Sequence, residues 1–375
     1  MDCLLVADDL TGACDAAVHF AMHGLRPVTV QVAHGAQDSR ARVLAVTTES
    51  RDLPPAEIRQ ALSAVAANSP VDSAALIFKK IDSTLRGNMG LEIAAALESF
   101  HCDAAVVCPA FPGMRRIVEG GLLTVAGVPE FEPIHVSQRL QLQSGYPCGA
   151  SPPDGIAALL HSGARVVSVD ATCDDDLDRI AAALLPMGRR ILWAGSAGLA
   201  SALARLLGEQ CDPAPVPPRS GTALFCIGSD HAVTLAQQTA LLADRPAVLV
   251  HPNATARQSI CAALACGEHV ILRIPRGHVP VEALREWIDG LPLAALVLSG
   301  GDTASLVCRA AGVQSIDLCD EIVPGVPRGI LHGGVFDGHS VATKSGGFGD
   351  RDTLIRVADF FSCPKPSLRT APPSP

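Results

Sequence analysis

The chain has 375 residues, 48% of them apolar and 18% charged, with a formal net charge of −9. That is more than one compact domain usually holds, so two domains are expected, with cores of Ala, Leu and Val. Aromatics at 3% argue against stacking on single-stranded nucleic acid, and the acidic balance argues against a nucleic-acid backbone or an anionic membrane surface.

Arginine outnumbers lysine 25 to 4, so each lysine stands out. The 13 cysteines form no C-x-x-C pair and read as reduced core residues. Met1-Asp2 leads into a short apolar strand rather than a signal peptide, and no apolar run approaches the ~20 residues of a membrane helix. A cytoplasmic location is expected.

In chain order, residues 3–7 read as a buried strand that ends in Asp8-Asp9-Leu10-Thr11-Gly12-Ala13, before a helix over 14–23. Two adjacent carboxylates there can hold a metal, a polyol or a proton, or can simply cap the helix; Asp15 follows one turn later. Strands over 28–32 and 43–47 come next. The second leaves through the polar run Thr47-Thr48-Glu49-Ser50-Arg51-Asp52 into a helix over 54–67.

A strand over 74–78 then feeds Lys79-Lys80-Ile81-Asp82-Ser83-Thr84-Leu85-Arg86-Gly87-Asn88-Met89-Gly90, ahead of a helix over 91–100. Two of the four lysines, a carboxylate, two hydroxyls, an arginine and an amide stand between strand and helix, which predicts a binding loop for an anionic, hydroxylated ligand. A strand over 104–108, a loop with Arg115-Arg116 and a hairpin within 120–129 follow. Residues 130–153 show no period and receive no assignment. Helices over 154–161 and 174–185 and strands over 166–169 and 191–194 resume the alternation; Gly195-Ser196-Ala197-Gly198 starts a helix ending near Gly208. Strand, polar loop and helix alternate as in a parallel sheet, so the loops after residues 7, 47 and 78 should converge on one edge.

Residues 209–220, with four prolines and no hydrophobic period, read as a linker. Beyond it, a strand over 223–227 ends in Gly228-Ser229-Asp230-His231. Strands over 247–250, 270–274 and 295–298 alternate with helices, and Ser299-Gly300-Gly301-Asp302-Thr303 opens a helix to about Ala311. Such a Gly-Gly junction either brings free N–H groups to a phosphate or is a tight turn capped by Asp302. The runs 324–329 and 332–334 read as tight turns. A strand over 340–342 then enters Thr343-Lys344-Ser345-Gly346-Gly347-Phe348-Gly349-Asp350, where a lone lysine beside a glycine-rich loop suits a polyphosphate. A helix over 352–361 precedes a Pro/Ser-rich tail, 362–375, expected to be disordered. No P-loop motif, no G-x-G-x-x-G after the first strand, no G-x-S-x-G and no H-E-x-x-H occurs.

Together, Ala7-Asp8-Asp9-Leu10-Thr11-Gly12-Ala13-Cys14-Asp15, the run from Lys79 to Gly90, Ser299-Gly300-Gly301-Asp302-Thr303 and the run from Val341 to Asp350 resemble the four-carbon acid sugar kinases. The resemblance spans nearly the whole chain. It departs from the family pattern after Pro112, where only Arg116 matches; between Glu132 and Pro153, where a proline-containing segment is missing; and at the bulkier Asp230-His231.

The resemblance implies an α/β fold of two α/β domains with mostly parallel sheets and a cleft between them. Residues 1–208 would bind the acid sugar and 221–361 the nucleotide. It implies an ATP-dependent kinase using Mg²⁺ on a small acid sugar, nearer to the threonate and erythronate kinases than to the 3-oxo-tetronate branch; a homodimer is admitted but not required. Asp9, Asp82 and Arg86 are the expected catalytic residues, with Asp9 or Asp82 taking the hydroxyl proton. Asp8, Thr11, Gly12, Lys80, Ser83, Gly87, Asn88 and Arg116 are expected at the sugar. Ser229, Gly300, Gly301, Asp302, Thr303, Lys344, Gly346 and Gly347 are expected at the nucleotide, with Asp302 or Asp350 reaching the metal through water and no protein metal site expected. Two rivals are an acid-sugar sensor without turnover and, lacking its fingerprint, an NAD-dependent hydroxy-acid dehydrogenase.

Overall fold

The computed structural model describes residues 1–32, 40–128, 130–208, 220–277 and 279–362. Residues 209–219 of the expected linker and the tail beyond Ser362 lie outside these residues. Strand and helix alternate along the described chain, and the α/β, mostly parallel architecture is as expected.

In the first half, eight parallel strands run in the order Val28–Gln31, Val43–Thr47, Cys3–Ala7, Leu76–Lys80, Ile191–Gly195, Ala104–Cys108, Val166–Val169 and Cys148–Ser151. Strand Cys3–Ala7 is fully buried along its length, as an unbroken apolar run in a sheet covered on both faces should be. The next two strands in sequence lie on one side of it, and Leu76–Lys80 lies on the other. It is therefore the point where strand order reverses, and Asp8 and Asp9 follow its C-terminal end.

The second half repeats this plan. Ala223–Ile227 sits between His269–Arg273 and Ala295–Ser299, with Ala247–Val250 beyond the former and Ser340–Lys344 beyond the latter. The second reversal thus falls just before Gly228-Ser229. Pro327–His332 and Ser315–Glu321 complete this half as antiparallel strands, where the sequence suggested only turns at 324–329 and 332–334. Ser315–Glu321 also pairs antiparallel with Val28–Gln31, so the strands of both halves form one 15-stranded sheet.

Helix Leu10–Met22 is buried along nearly its whole length because it packs against elements of both halves: helix Ala197–Leu207 on one side, and strand Ser315–Glu321 and helix Gly301–Ala311 on the other. Each large apolar side chain it buries contributes roughly 1.5–3 kcal/mol. Residues 130–153, unassigned from sequence, contain helix Val136–Ser144 and the edge strand Cys148–Ser151. Among the described residues, no helix is long and apolar enough to cross a membrane.

Candidate active site

The turn after Cys3–Ala7 starts the site. Asp9 Oδ1 accepts from Gly12 N at 2.5 Å and from Thr11 Oγ1 at 2.9 Å, so Asp9 is the N-cap of helix Leu10–Met22. The helix begins four residues earlier than expected, and Thr11 and Gly12 are first-turn residues rather than loop. Arg51, from the turn after Val43–Thr47, grips both neighbouring carboxylates. Its Nε and Nη2 donate to Asp8 at 2.8 and 2.9 Å, and Nη2 also pairs with Asp9 Oδ2. Burial alone would raise the Asp8 carboxyl; the charge and bonds of Arg51, with Lys79 and Lys80 behind, hold it below the usual carboxylate range. Sequence reasoning passed over Arg51. Its signal was the polar run leaving a strand next to the one that carries Asp8.

Lys79 and Lys80 were expected in a loop but end strand Leu76–Lys80, where Lys80 pairs in register with Ala7 and Gly195. Lys79 is fully buried and ion-pairs with Glu92 at 2.6 Å, and Glu92 also accepts from Ser50 Oγ at 2.6 Å. Its role is to anchor helix Met89–Ser99 under the site. Lys80 Nζ donates to Ile81 O at 3.1 Å and stands 4.0 Å from Asp15 Oδ2.

Asp82 turns into its own loop. It accepts from Thr84 N, Thr84 Oγ1 and Arg86 N at 3.0, 2.5 and 3.2 Å, and is gripped by Arg86 Nε and Nη2 at 3.1 and 2.6 Å. Burial pushes its carboxyl up, but the Arg86 bonds and charge prevail and hold it far below the usual range. So engaged, Asp82 is a poor proton acceptor and a good support for Arg86. Gly87 has φ 79°, and a Cβ there would lie 3.0 Å from Arg51 O, so the loop closes tightly on the Arg51 turn. Ser83 is buried, and Asn88 precedes helix Met89–Ser99 without a side-chain cap. Arg116 starts strand Arg116–Glu119 and stacks over Phe348 of the second half at 5.0 Å.

The opposite edge is built from three turns that leave adjacent strands. Gly300 (φ 104°) precedes helix Gly301–Ala311, whose first-turn N–H groups have no intrahelical partner. A Cβ on Gly228 would overlap Thr303 Oγ1, and one on Gly346 would overlap Ser229 Oγ, so only glycine permits this close packing. Lys344, expected at the phosphates, is instead fully buried on strand Ser340–Lys344. Its Nζ donates to Thr234 Oγ1 and to the carbonyls of Ser345, Gly346 and Phe348 at 2.9–3.3 Å. It shapes the glycine turn from beneath, and burial pushes its ammonium down to about 7. Asp350 is tied to Arg356 at 2.7 Å, away from the glycine edge.

The two edges meet in one cavity of about 670 Å³. Asp8, Asp9, Thr11, Glu49, Arg51 and Arg86 line one side; Ser229, Gly300 to Thr303, Gly346 and Gly347 line the other. Lys80, Asp82, Ser83, Gly12, Gly87, Asn88, Arg116 and Lys344 are not among the residues that line it. The halves touch directly: a Cβ on Gly301 would lie 2.9 Å from Asp9 Cβ, Ser305 Oγ donates to Glu49 Oε1 at 2.6 Å, and Arg276 bridges Asp52 and Asp302. Among the described residues, no three His, Cys, Asp or Glu side chains gather into a metal-holding group.

Residues 3–203 match the family model of a sugar-binding N-terminal domain, and residues 236–354 match that of a nucleotide-binding C-terminal domain. A D-threonate kinase of Bordetella bronchiseptica is 34% identical, over 94% of this chain and 96% of its own. The chain belongs to the four-carbon acid sugar kinase family. As a member it is a carbohydrate kinase, a phosphotransferase with an alcohol group as acceptor. A D-erythronate kinase of Heliobacterium modesticaldum is 27% identical over 96% of both chains. A solved structure from Salmonella typhimurium LT2 shares the fold of this kinase with TM-score 0.77 and 21% identity, over 96% of this chain and 99% of the other.

Proposed function

We propose that this kinase transfers the terminal phosphoryl group of ATP, with Mg²⁺, to a hydroxyl of a four-carbon acid sugar such as threonate or erythronate. One observation carries this reading: a single cavity has carboxylates and arginines on one wall and a glycine-rich helix N-terminus on the other. A hydroxylated acid suits the first wall and a polyphosphate the second. Residues 1–208 would serve the sugar and 221–361 the nucleotide, in line with the two family models.

The second wall fits a polyphosphate because Gly228, Gly300 and Gly346 let the backbone come close, and the first turn of helix Gly301–Ala311 presents N–H donors. Mg²⁺ would take most of its ligands from phosphate and water, with Asp230 and Asp302 the carboxylates on this wall among the described residues. When bound, ATP and its metal supply the phosphoryl group and spread its charge. The chain's own residues position and neutralise. Asp9, fixed by Gly12 N and Thr11, receives the proton of the attacking hydroxyl; Arg51 aligns Asp9 with Asp8; Arg86, set by Asp82, faces the cavity with its charge.

ADP release with ATP·Mg²⁺ and D-threonate, D-erythronate or 3-oxo-tetronate tests the reading. Turnover with one of them is expected. Thermal stabilisation by NAD but not ATP, or binding of an acid without ADP release, would sink it.

A further inference from the structure

Among the described residues, six carboxylates and three guanidinium groups line the cavity, so an anionic nucleotide enters a space whose own charge opposes it. Two of the three cations are held on buried carboxylates of the first half. Arg51 is fixed between Asp8 and Asp9, and Arg86 is forked on Asp82. The third is Arg276, the one lysine or arginine that the second half contributes to the lining among the described residues. Arg273, three residues earlier, is engaged by Ser229 O at 3.0 Å and Asp230 Oδ1 at 2.6 Å. Lys344 is buried among carbonyls.

The place of Arg276 follows from the sheet. It stands in the turn after strand His269–Arg273, which pairs with Ala223–Ile227, the strand that ends at Gly228. A Cβ on Gly228 would lie 2.8 Å from Ile274 O, so the two turns pack against each other. Arg276 Nε meets Asp302 Oδ2 at 2.8 Å, in the first turn of helix Gly301–Ala311. The guanidinium therefore lies beside the N–H groups that a phosphate chain would reach. Its Nη2 crosses to the first half and pairs with Asp52.

This grip is loose. The side chains of Arg276, Asp52 and Asp302 are 68%, 66% and 65% exposed, and ion pairs so open to water contribute little. A guanidinium on phosphate oxygens makes charge-assisted bonds in a fork that matches them, so a nucleotide can outcompete Asp52 for the same nitrogen.

We propose that Arg276 is a partner-exchanging phosphate ligand: without nucleotide it bridges Asp302 to Asp52, and when ATP binds its outer nitrogens leave Asp52 for the phosphate chain while Nε stays on Asp302. The proposal rests on the kinase reading and adds to it a nucleotide contact that no glycine turn marks. In the empty site the bridge neutralises Asp302 beside the helix terminus. It also ties the nucleotide wall to the turn whose Arg51 orients Asp8 and Asp9, because Asp52 is the next residue of that turn. Nucleotide binding exchanges that tie for a ligand contact, leaving the packing of Gly301 on Asp9 and the Ser305–Glu49 bond to join the halves. Asp52, although it lies on the first wall, is thus a competitor of ATP for one cation.

Calorimetric titration of the full chain with ATP·Mg²⁺, in the absence of any acid, tests this on wild type, Arg276→Gln, Asp52→Asn and the double variant. Arg276→Gln should weaken ATP binding at least about tenfold. Asp52→Asn should tighten it about two- to fivefold, the opposite direction from a damaged site, and should lose that effect in the Arg276→Gln background. Arg276→Gln that binds ATP within about twofold of wild type overturns the proposal and leaves the kinase reading standing. Asp52→Asn that leaves ATP binding unchanged or weaker does the same, and so does equal tightening in both backgrounds, which would report only the removal of a negative charge. A wild type that binds no ATP overturns both readings. Should Arg276→Gln lose its thermal melting transition, Asp52→Asn decides alone, and ATP binding no tighter than wild type refutes the exchange.

Discussion

Replacing Arg51 with Ala removes the one guanidinium that holds Asp8 and Asp9 side by side. Asp8 and Asp9 side chains are 5% and 9% exposed and that of Arg51 21%, so little of the pairing is lost to solvent screening. Breaking a buried pair costs about 3–5 kcal/mol, and the partly open Arg51 places the expected loss near the lower end, about 3 kcal/mol at pH 7. The sign with pH follows from Asp8. With Arg51 present its folded pKa lies below the unfolded value, so its contribution is complete above ~3.9 and fades as pH falls through the depressed value. Without Arg51, burial, the largest influence on Asp8, outweighs the charges of Lys79 and Lys80 and pushes it above the unfolded value, and the variant loses stability as pH rises through that window. The gap between wild type and Arg51→Ala should therefore be widest at pH 7 and narrow toward pH 4.5. Urea denaturation at both pH values measures it. A gap of equal size at both, or below about 1 kcal/mol at pH 7, would refute the role given to Arg51. Arg51→Lys, which keeps the charge but loses the fork, should fall between the two.

Gly346→Ala drives a Cβ into Ser229 Oγ and should weaken ATP binding; Ser229→Ala in the same chain should restore part of it, because the remaining Cβ lies 3.1 Å away, and calorimetry with ATP reads both. Lys344→Met strips the donor from one hydroxyl and three carbonyls, and should raise the KM for ATP more than that for the acid sugar. Since burial pushes the folded Lys344 down to about 7, wild-type stability should gain from this group as pH rises from 7 toward ~10.4, and the variant should lose that slope in denaturation curves. Asp9→Asn should lower kcat by roughly 10²–10⁴, while Asp82→Asn, which acts through Arg86, should cost less; equal losses in steady-state kinetics would overturn the division of roles.

Much of this was legible in the sequence because it is written in short-range patterns. Apolar runs of five residues gave the strands Cys3–Ala7, Val43–Thr47 and Ala104–Cys108, and rare lysines beside glycines drew attention to both edges of the cavity. What failed depended on pairing across the sheet. Lys79 and Lys80 look like loop residues until Glu92 and Asp15 are seen to face them, and Lys344 looks like a phosphate ligand until three carbonyls are found around it. Residues 327–332 hold a proline, an arginine and a glycine that suggest a turn, yet they pair on both sides as a strand. Arg51 was hidden for the same reason, since its partners sit 42 and 43 positions earlier.

The cations around the cavity are not equivalent, and the difference assigns them separate tasks. Arg51 is confined by two carboxylates and cannot follow a moving charge; it can only hold Asp9 in one orientation. Arg86 is bound to a single carboxylate, and its side chain is 63% exposed against 8% for Asp82. It can stay tethered by Asp82 while its outer nitrogen turns toward charge that develops in the cavity. Across from it, the glycine wall offers backbone N–H dipoles, which are fixed and cost no reorganisation when a phosphate chain arrives. On the proposed function these groups would supply a fixed nucleotide cradle, a fixed proton acceptor and one tethered but movable guanidinium, which an in-line transfer between two small groups requires. Arg86 is thus the side chain whose loss should lower kcat with little change in the affinity for either substrate.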